Sequence, residues 1–404
     1  MDYVAEASDA EIADLIDSAK KLARKWADIG AECDECNRFP LESVADYRAS
    51  GLVGMVVPKQ FGGKGVDIWT AGQVSRELAR GEPSLGLAYN MHTGVVGIIR
   101  SSAGIGDEVR ARTLRKIAQE GAIICGAFSE QRAGLTGLAD TIAIPQAGGG
   151  WRISGRKNWA TLVEAADLVA VNATITDADG TLPADQQEHL KRESLFILPV
   201  KAENIVIERT WNTMGMRATG SQTLAFNGAH APPESFGGNF RVSSTGQGEW
   251  NAITFGAVYQ GLAEKAFAET CEIVKRKQLG ATALASNTVL KDVGSVQHAL
   301  GRLYMLIQAS ARTLEFTARS VVNNSSPDWS HLVRRAHLDL AKVQATEMAV
   351  TVTDVCMRLI GGAAFRKGHN VERLFRDARA GLIQPLGADQ LYDILGKSEL
   401  GSLK

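Results

Sequence analysis

Leu168-Val-Ala-Val-Asn-Ala-Thr-Ile175 is a short run rich in β-branched residues, so it reads as a strand. Similar short runs surround it: Ile123–Phe128, Trp151–Ser154, Ser194–Val200, Ile205–Glu208 and Gln222–Asn227. Turn clusters such as Gly148-Gly-Gly150 and Asp177-Ala-Asp-Gly180 part them. Strands that succeed one another without helices between them predict an antiparallel barrel or sandwich, not a doubly wound sheet. The polar, acidic stretch Asp177–Arg192 reads as a long surface loop.

On both sides of this segment the period becomes helical. Ser8 and Glu11 have the spacing of a capping box, in which each side chain satisfies an orphan amide of the first turn. Ile12, Leu15, Ile16, Ala19, Leu22, Ala23 and Trp26 then form one apolar face. Further helices are expected over 40–50, 67–79, 83–100 and 107–119. After Gly248 the helical period returns over 249–277, 289–322, 330–360 and 371–379, lengths that suit an antiparallel bundle. The expected fold class is therefore α+β, in three parts. They are an N-terminal helical domain (1–121), a central antiparallel β-barrel domain (122–240) and a C-terminal four-helix bundle (241–404).

Composition narrows the function. The chain has 404 residues, 44 basic and 45 acidic, for a net charge of -1. Without a basic stripe or tail, nucleic acid is not an expected partner. No apolar run approaches the ~20 residues of a membrane span, and the acidic N-terminus lacks a signal peptide's basic and apolar regions. Five scattered cysteines suggest a reduced, cytoplasmic protein. Cys33-Asp-Glu-Cys36 has no second pair to complete a zinc site, so no metal is expected. No dinucleotide fingerprint occurs. Gly215–Gly220 has Walker-like glycines, but Ser221 and Gln222 follow where Lys and Ser/Thr are needed. Glycine (41) is abundant and proline (10) scarce, which suits long helices with close backbone approaches.

Several local stretches, taken in order, carry a resemblance. They are Gly51-Leu-Val-Gly-Met-Val-Val-Pro58 with Phe61-Gly-Gly63, Phe128-Ser-Glu-Gln-Arg-Ala-Gly134, and Gly155-Arg-Lys-Asn-Trp-Ala-Thr161. Arg276-Lys-Gln-Leu-Gly280, Gly361-Gly362 and Phe375-Arg-Asp-Ala-Arg379 follow. The set resembles the acyl-CoA dehydrogenase superfamily over nearly the whole chain. Singly, Ser129 and Thr161 would pass as sheet residues, Trp159 as core and Gly361-Gly362 as a helix stop.

The resemblance implies an oxidoreductase holding FAD, in a homotetramer, acting on an acyl thioester of CoA or an acyl-carrier protein. Electrons would pass to an acceptor flavoprotein or to oxygen. Phe128 and Ser129 would bond the pyrimidine end of the isoalloxazine, Trp159 would stack on it, and Thr161 would bond near N5. Arg276, with Gln278 and Leu279, would reach the pyrophosphate of a neighbouring subunit's FAD. Arg358 and Gly361-Gly362 would lie near the same pyrophosphate, where a guanidinium suits phosphate by charge and fork geometry. Gly134, Leu135, Glu249 and His92 would touch the substrate.

One departure changes the expected chemistry. Dehydrogenation needs a carboxylate to take the α-proton. At the family's usual place stands Pro385 or Leu386, and at the alternative place on a helix stands Asn251. None of these can accept a proton. Glu249 and Asp389 are substitute candidates, Asp389 alternatively capping the last helix. A second reading is a reduced-flavin monooxygenase of the same fold, using FMN, with His92 beside flavin or substrate. A third is an inactive helical scaffold.

Overall fold

The computed structural model describes residues 5–130, 139–240, 247–278, 288–322, 331–384 and 387–402. The N-terminal helices are α1 (Asp9–Cys36), α2 (Glu42–Ala49), α3 (Ile68–Gly81), α4 (Pro83–Ser101) and α5 (Asp107–Glu120). The capping box forms: Ser8 N–H donates to Glu11 Oε2 at 3.0 Å, and Glu11 N–H donates to Ser8 Oγ at 3.3 Å. Leu15, Ala19, Leu22, Ala23 and Trp26 turn inward from α1. Helix α4 is buried along nearly its whole length, which explains why its sequence is apolar all round rather than striped.

The central strands are β1 (Ile124–Ala127), β2 (Ile142–Pro145), β3 (Trp151–Ala160), β4 (Leu168–Ile175), β5 (Glu193–Pro199), β6 (Ile205–Glu208), β7 (Gln222–Ala231) and β8 (Phe236–Asn239). They form one sheet in the order β6-β7-β3-β2-β4-β5-β8, with β1 on β4. Most pairings are antiparallel, as expected, but β4 runs parallel to both β1 and β2. The chain between β1 and β4 is long enough to make that crossover. The expected loop over 177–192 is not wholly irregular: α6 (Gln186–Arg192) forms within it. Asp185 caps this helix, and His189 docks on buried Thr174 through a 2.7 Å bond between Nε2 and Oγ1.

The C-terminal helices are α7 (Gln247–Val274), α8 (Gly294–Val322), α9 (His331–Ile360), α10 (Asn370–Ala378), α11 (Ala380–Ile383) and α12 (Ala388–Glu399). Helix α7 packs on α9 and α8 and also on α3 and α4, joining the C-terminal helices to the N-terminal ones. From Ala336 to Phe365 the chain is long and apolar enough to span a membrane by length and composition. In the fold, Ala341, Ala345, Ala349, Val352 and Cys356 of this stretch are buried among neighbouring residues.

A buried charge cluster joins the three parts. Arg376 of α10 grips Asp34 of α1 with two bonds of 2.9 and 2.6 Å, and donates to the Met214 carbonyl at 2.8 Å. Arg373 pairs with Glu82 at the start of α4, both side chains almost wholly buried. Asp377 accepts from the Met216 N–H at 2.5 Å. Breaking one such buried pair by removing a single partner costs about 3–5 kcal/mol, because the other charge stays stranded.

Candidate functional site

Strand β3 delivers the first set of residues. Lys157 is fully buried and ion-paired with Glu130; it also donates to Asn172 Oδ1 at 2.8 Å. Glu130 accepts from Thr141 Oγ1 at 2.6 Å and from the Thr141 N–H at 3.0 Å. Burial opposes ionisation of Glu130, but Lys157 and these donors hold its carboxyl below the ordinary range. The pair thereby fixes the segment that follows it. Asn158 N–H donates to the Ser129 carbonyl at 2.8 Å, bringing Ser129 alongside β3. The ladder with β7 then breaks between Lys157 and Ala160.

Trp159 sits in that break with φ +56°, and its side chain is 56% exposed. A bulky residue in the left-handed region stores about 1–3 kcal/mol of strain, and the exposed indole presents an open aromatic face. Thr161 N–H closes the turn on the Trp159 carbonyl at 2.8 Å. Thr161 Oγ1 lies 2.8 Å from Ser221 Oγ, which lies 2.6 Å from Thr219 Oγ1. Phe128 points its ring to Phe240, centroids 5.3 Å apart, and packs on the N-terminal core.

A second set gathers at the ends of α7 and α9. Gln278 bridges to Val289, and Lys277 donates to the Ile360 carbonyl. These contacts bring Arg276 and Arg358 to one region. Both guanidiniums are largely exposed, 81% and 77%, held only by helix-surface pairs to Glu272 and Asp354. Gly361 has φ +72°, a backbone that a side chain would strain, and a Cβ at Gly362 would meet nothing. The open turn flanked by cations suits a phosphate group; the exposed indole with adjacent hydroxyls suits a flat heteroaromatic ring. The first set thus suits the ring of a flavin nucleotide and the second its phosphate end. The two sets share no hydrogen bond or ion pair among the described residues.

The other candidates fall elsewhere. His92 is not open to a ligand: Nε2–H donates to the Val53 carbonyl at 2.9 Å, and Nδ1 accepts from the Ile124 N–H at 3.0 Å. The two ring nitrogens are spent on pinning α4 to the segment at Val53 and to β1, and burial depresses the imidazole to about 4. Asn251 faces α4, where a Cβ at Gly94 would lie 2.6 Å from its Oδ1. Glu249 is buried on α7. Two residues turn a helix by about 200°, so Glu249 does not share the direction of Asn251. Asp389 is exposed in the first turn of α12. Gly134, Leu135, Leu279, Pro385 and Leu386 lie outside the described residues.

Sequence reasoning missed Ser221, Thr219, Glu130 and Asp377. Thr219 and Ser221 fall at the end of the glycine run dismissed as Walker-like; the signal was the three hydroxyls of Thr219, Ser221 and Thr223 at every second position.

Comparison with known proteins agrees with this architecture. Sequence models of the acyl-CoA dehydrogenase N-terminal, middle and C-terminal domains match residues 9–121, 125–229 and 253–383. The chain is 27% identical to L-evernosamine nitrososynthase of a Micromonospora species, over 92% of this chain and 86% of that protein. Among solved structures it superposes on the FMN-bound dibenzothiophene monooxygenase TdsC of Paenibacillus sp. A11-2 with a TM-score of 0.84 and 20% identity, covering 96% and 98% of the two chains. Butyryl-CoA dehydrogenase of Megasphaera elsdenii also gives 0.84 at 20% identity, covering 98% and 99%. With its elements in the family order and all three of its domain models matched along the chain, the protein belongs to the acyl-CoA dehydrogenase family.

Proposed function

We propose that the chain is a flavin-dependent oxidoreductase of the oxygenase kind, which receives reduced flavin and uses oxygen rather than a protein carboxylate to drive the reaction. One observation carries this reading. The base position on α7 is the amide Asn251, set against Gly94 of α4, and the other base position is proline or leucine. A positioned base contributes about 10²–10⁴ in rate, so an α-proton abstraction without one would be severely handicapped. The similarity to a nitrososynthase and to a dibenzothiophene monooxygenase supports the same reading.

Bound flavin would supply the redox chemistry. The chain would do the rest. Trp159 would offer the ring a stacking face, Thr161 and the Ser129 segment would orient its edge, and Arg276, Arg358 and Gly361 would receive the phosphate end of a neighbouring subunit's flavin. His92 plays no chemical part in this scheme and serves as a structural pin.

A second reading, FAD-dependent dehydrogenation of an acyl thioester, is favoured by the two exposed arginines, which suit the pyrophosphate of FAD better than a single phosphate. Two measurements separate the readings. Product that forms only in air and carries label from oxygen-18 gas supports oxygenation. Anaerobic bleaching of protein-bound FAD by an acyl-CoA refutes it and supports dehydrogenation. A protein that binds neither FMN nor FAD in either redox state refutes both.

A further inference from the structure

Three hydroxyls run in single file from the indole face into the interior. Thr161 Oγ1 and Ser221 Oγ are 2.8 Å apart, Ser221 Oγ and Thr219 Oγ1 are 2.6 Å apart, and Thr219 Oγ1 donates to the Met216 carbonyl at 2.9 Å. Ser221 and Thr219 are buried, so water does not compete for them. The chain ends on an atom that can only accept. That carbonyl is itself held in place: Met216 has φ +53°, its N–H is gripped by Asp377, and its oxygen also takes the Trp211 indole N–H at 3.0 Å.

A hydroxyl has one proton to give. If Thr219 gives its proton to Met216, Ser221 must give to Thr219 and Thr161 must give to Ser221. All three protons are then used in good bonds, and Thr161 turns only lone pairs toward the ligand. In the opposite direction Met216 loses a donor, and the Thr161 proton finds only the Trp159 carbonyl, at 3.5 Å. That length is at the limit of a hydrogen bond. The inward direction therefore holds one more good bond, worth roughly a five- to tenfold preference.

We propose that the Thr161–Ser221–Thr219 chain makes Thr161 a hydrogen-bond acceptor and so selects the reduced form of the flavin. This rests on the flavin reading above. The flavin N5, which on that reading would face Thr161, is a bare acceptor in oxidised flavin and an N–H donor in the reduced form. Reduced flavin meets the inward chain as it stands; oxidised flavin must reverse all three hydroxyls to be bonded. The Ser221 and Thr219 side chains, which need touch no ligand, are positioning residues that set this polarity.

The test is anaerobic titration of the full-length protein with FMN and with FAD, each oxidised and dithionite-reduced, in wild type, Thr219→Val and Ser221→Ala. Thr219→Val removes the link to the terminal acceptor, and Ser221→Ala leaves the Thr161 proton free to face the ligand. Each variant is expected to lower the ratio of Kd for oxidised to Kd for reduced flavin roughly five- to tenfold. The same change lowers the two-electron potential of the bound flavin by about 20–30 mV. A ratio and potential that stay within twofold and about 10 mV of wild type in either variant, with an unchanged melting temperature, overturn the proposal. If one variant fails to fold, the other decides. Wild-type protein that binds no flavin in either state overturns the flavin reading and this inference with it, whereas flavin bound with an unchanged ratio overturns this inference alone.

Discussion

His92 and Asp377 make opposite demands on the proton, and replacing either one uncovers the other. Burial brings His92 from an ordinary 6.5 down to about 4, against the bonds to Val53 and Ile124. Burial brings Asp377 from 3.8 up to about 7; Arg373 and the Met216 N–H oppose that rise, and Glu82 and Asp34 add to it. Between pH ~4 and ~6.5 the unfolded chain carries a His92 proton that the native state lacks, so this contribution to stability is lost as pH falls. From pH ~4 to ~7 native Asp377 carries a proton that the unfolded chain has released, so its contribution is lost as pH rises. Each slope is about 1.4 kcal/mol per pH unit, or ~3 kcal/mol over the His92 window and ~4 kcal/mol over that of Asp377. In the wild type the two nearly cancel below pH ~6.5. Asp377→Asn keeps an acceptor for Met216 and leaves the His92 slope alone, so stability should climb with pH about 1.4 kcal/mol per unit faster than in the wild type. His92→Asn should shift the slope by the same amount in the opposite sense. Urea unfolding at half-unit steps from roughly pH 4.5 to 7.5 reads both, and the surface carboxylates, common to all three proteins, drop out of the differences. Parallel curves for wild type and Asp377→Asn would refute the assignment.

Further outcomes are expected elsewhere. Lys157→Met strands the buried Glu130 carboxylate and should cost about 3–5 kcal/mol in chemical denaturation, while Lys157→Met with Glu130→Gln should cost clearly less than the sum of the single changes. Trp159→Gly relieves the left-handed backbone and should raise stability by up to about 1 kcal/mol, while weakening flavin binding in an equilibrium titration. Arg276→Gln and Arg358→Gln remove exposed cations, so each should leave the melting temperature within a degree or two and flatten the salt dependence of flavin affinity.

Much of the architecture is legible because it is written in local period. The Ser8–Glu11 box, the α1 face and the run Leu168–Ile175 each carry their own signal, and the structure places a helix, an inward stripe and a strand there. What escapes is whatever depends on partners distant in the chain. His92 reads as a candidate ligand until Val53 and Ile124 are seen to occupy both its nitrogens. Thr161 reads as a site residue, but the polarity of its hydroxyl depends on Ser221 and Thr219, some sixty residues on, and on the carbonyl of Met216, whose N–H Asp377 holds from the far end of the chain. The α6 helix is short and polar, and it depends on partners outside its own span: Asp185 as cap, Thr174 as dock for His189, and Asp177 for Arg192. The parallel contacts of β4 with β1 and β2 are set by how the crossover packs, which no strand's own residues encode.

The grip of Arg376 and Asp377 on Asp34, Met214 and Met216 has a consequence for synthesis. A ribosome releases the N-terminal helices and the sheet long before it releases residues 376 and 377. Until those two emerge, the Met216 N–H lacks its acceptor, and the carbonyl on which the hydroxyls end is less firmly held. On the flavin reading, competence to bind flavin then waits on the last portion of the chain, so premature termination products would fold in part without binding it.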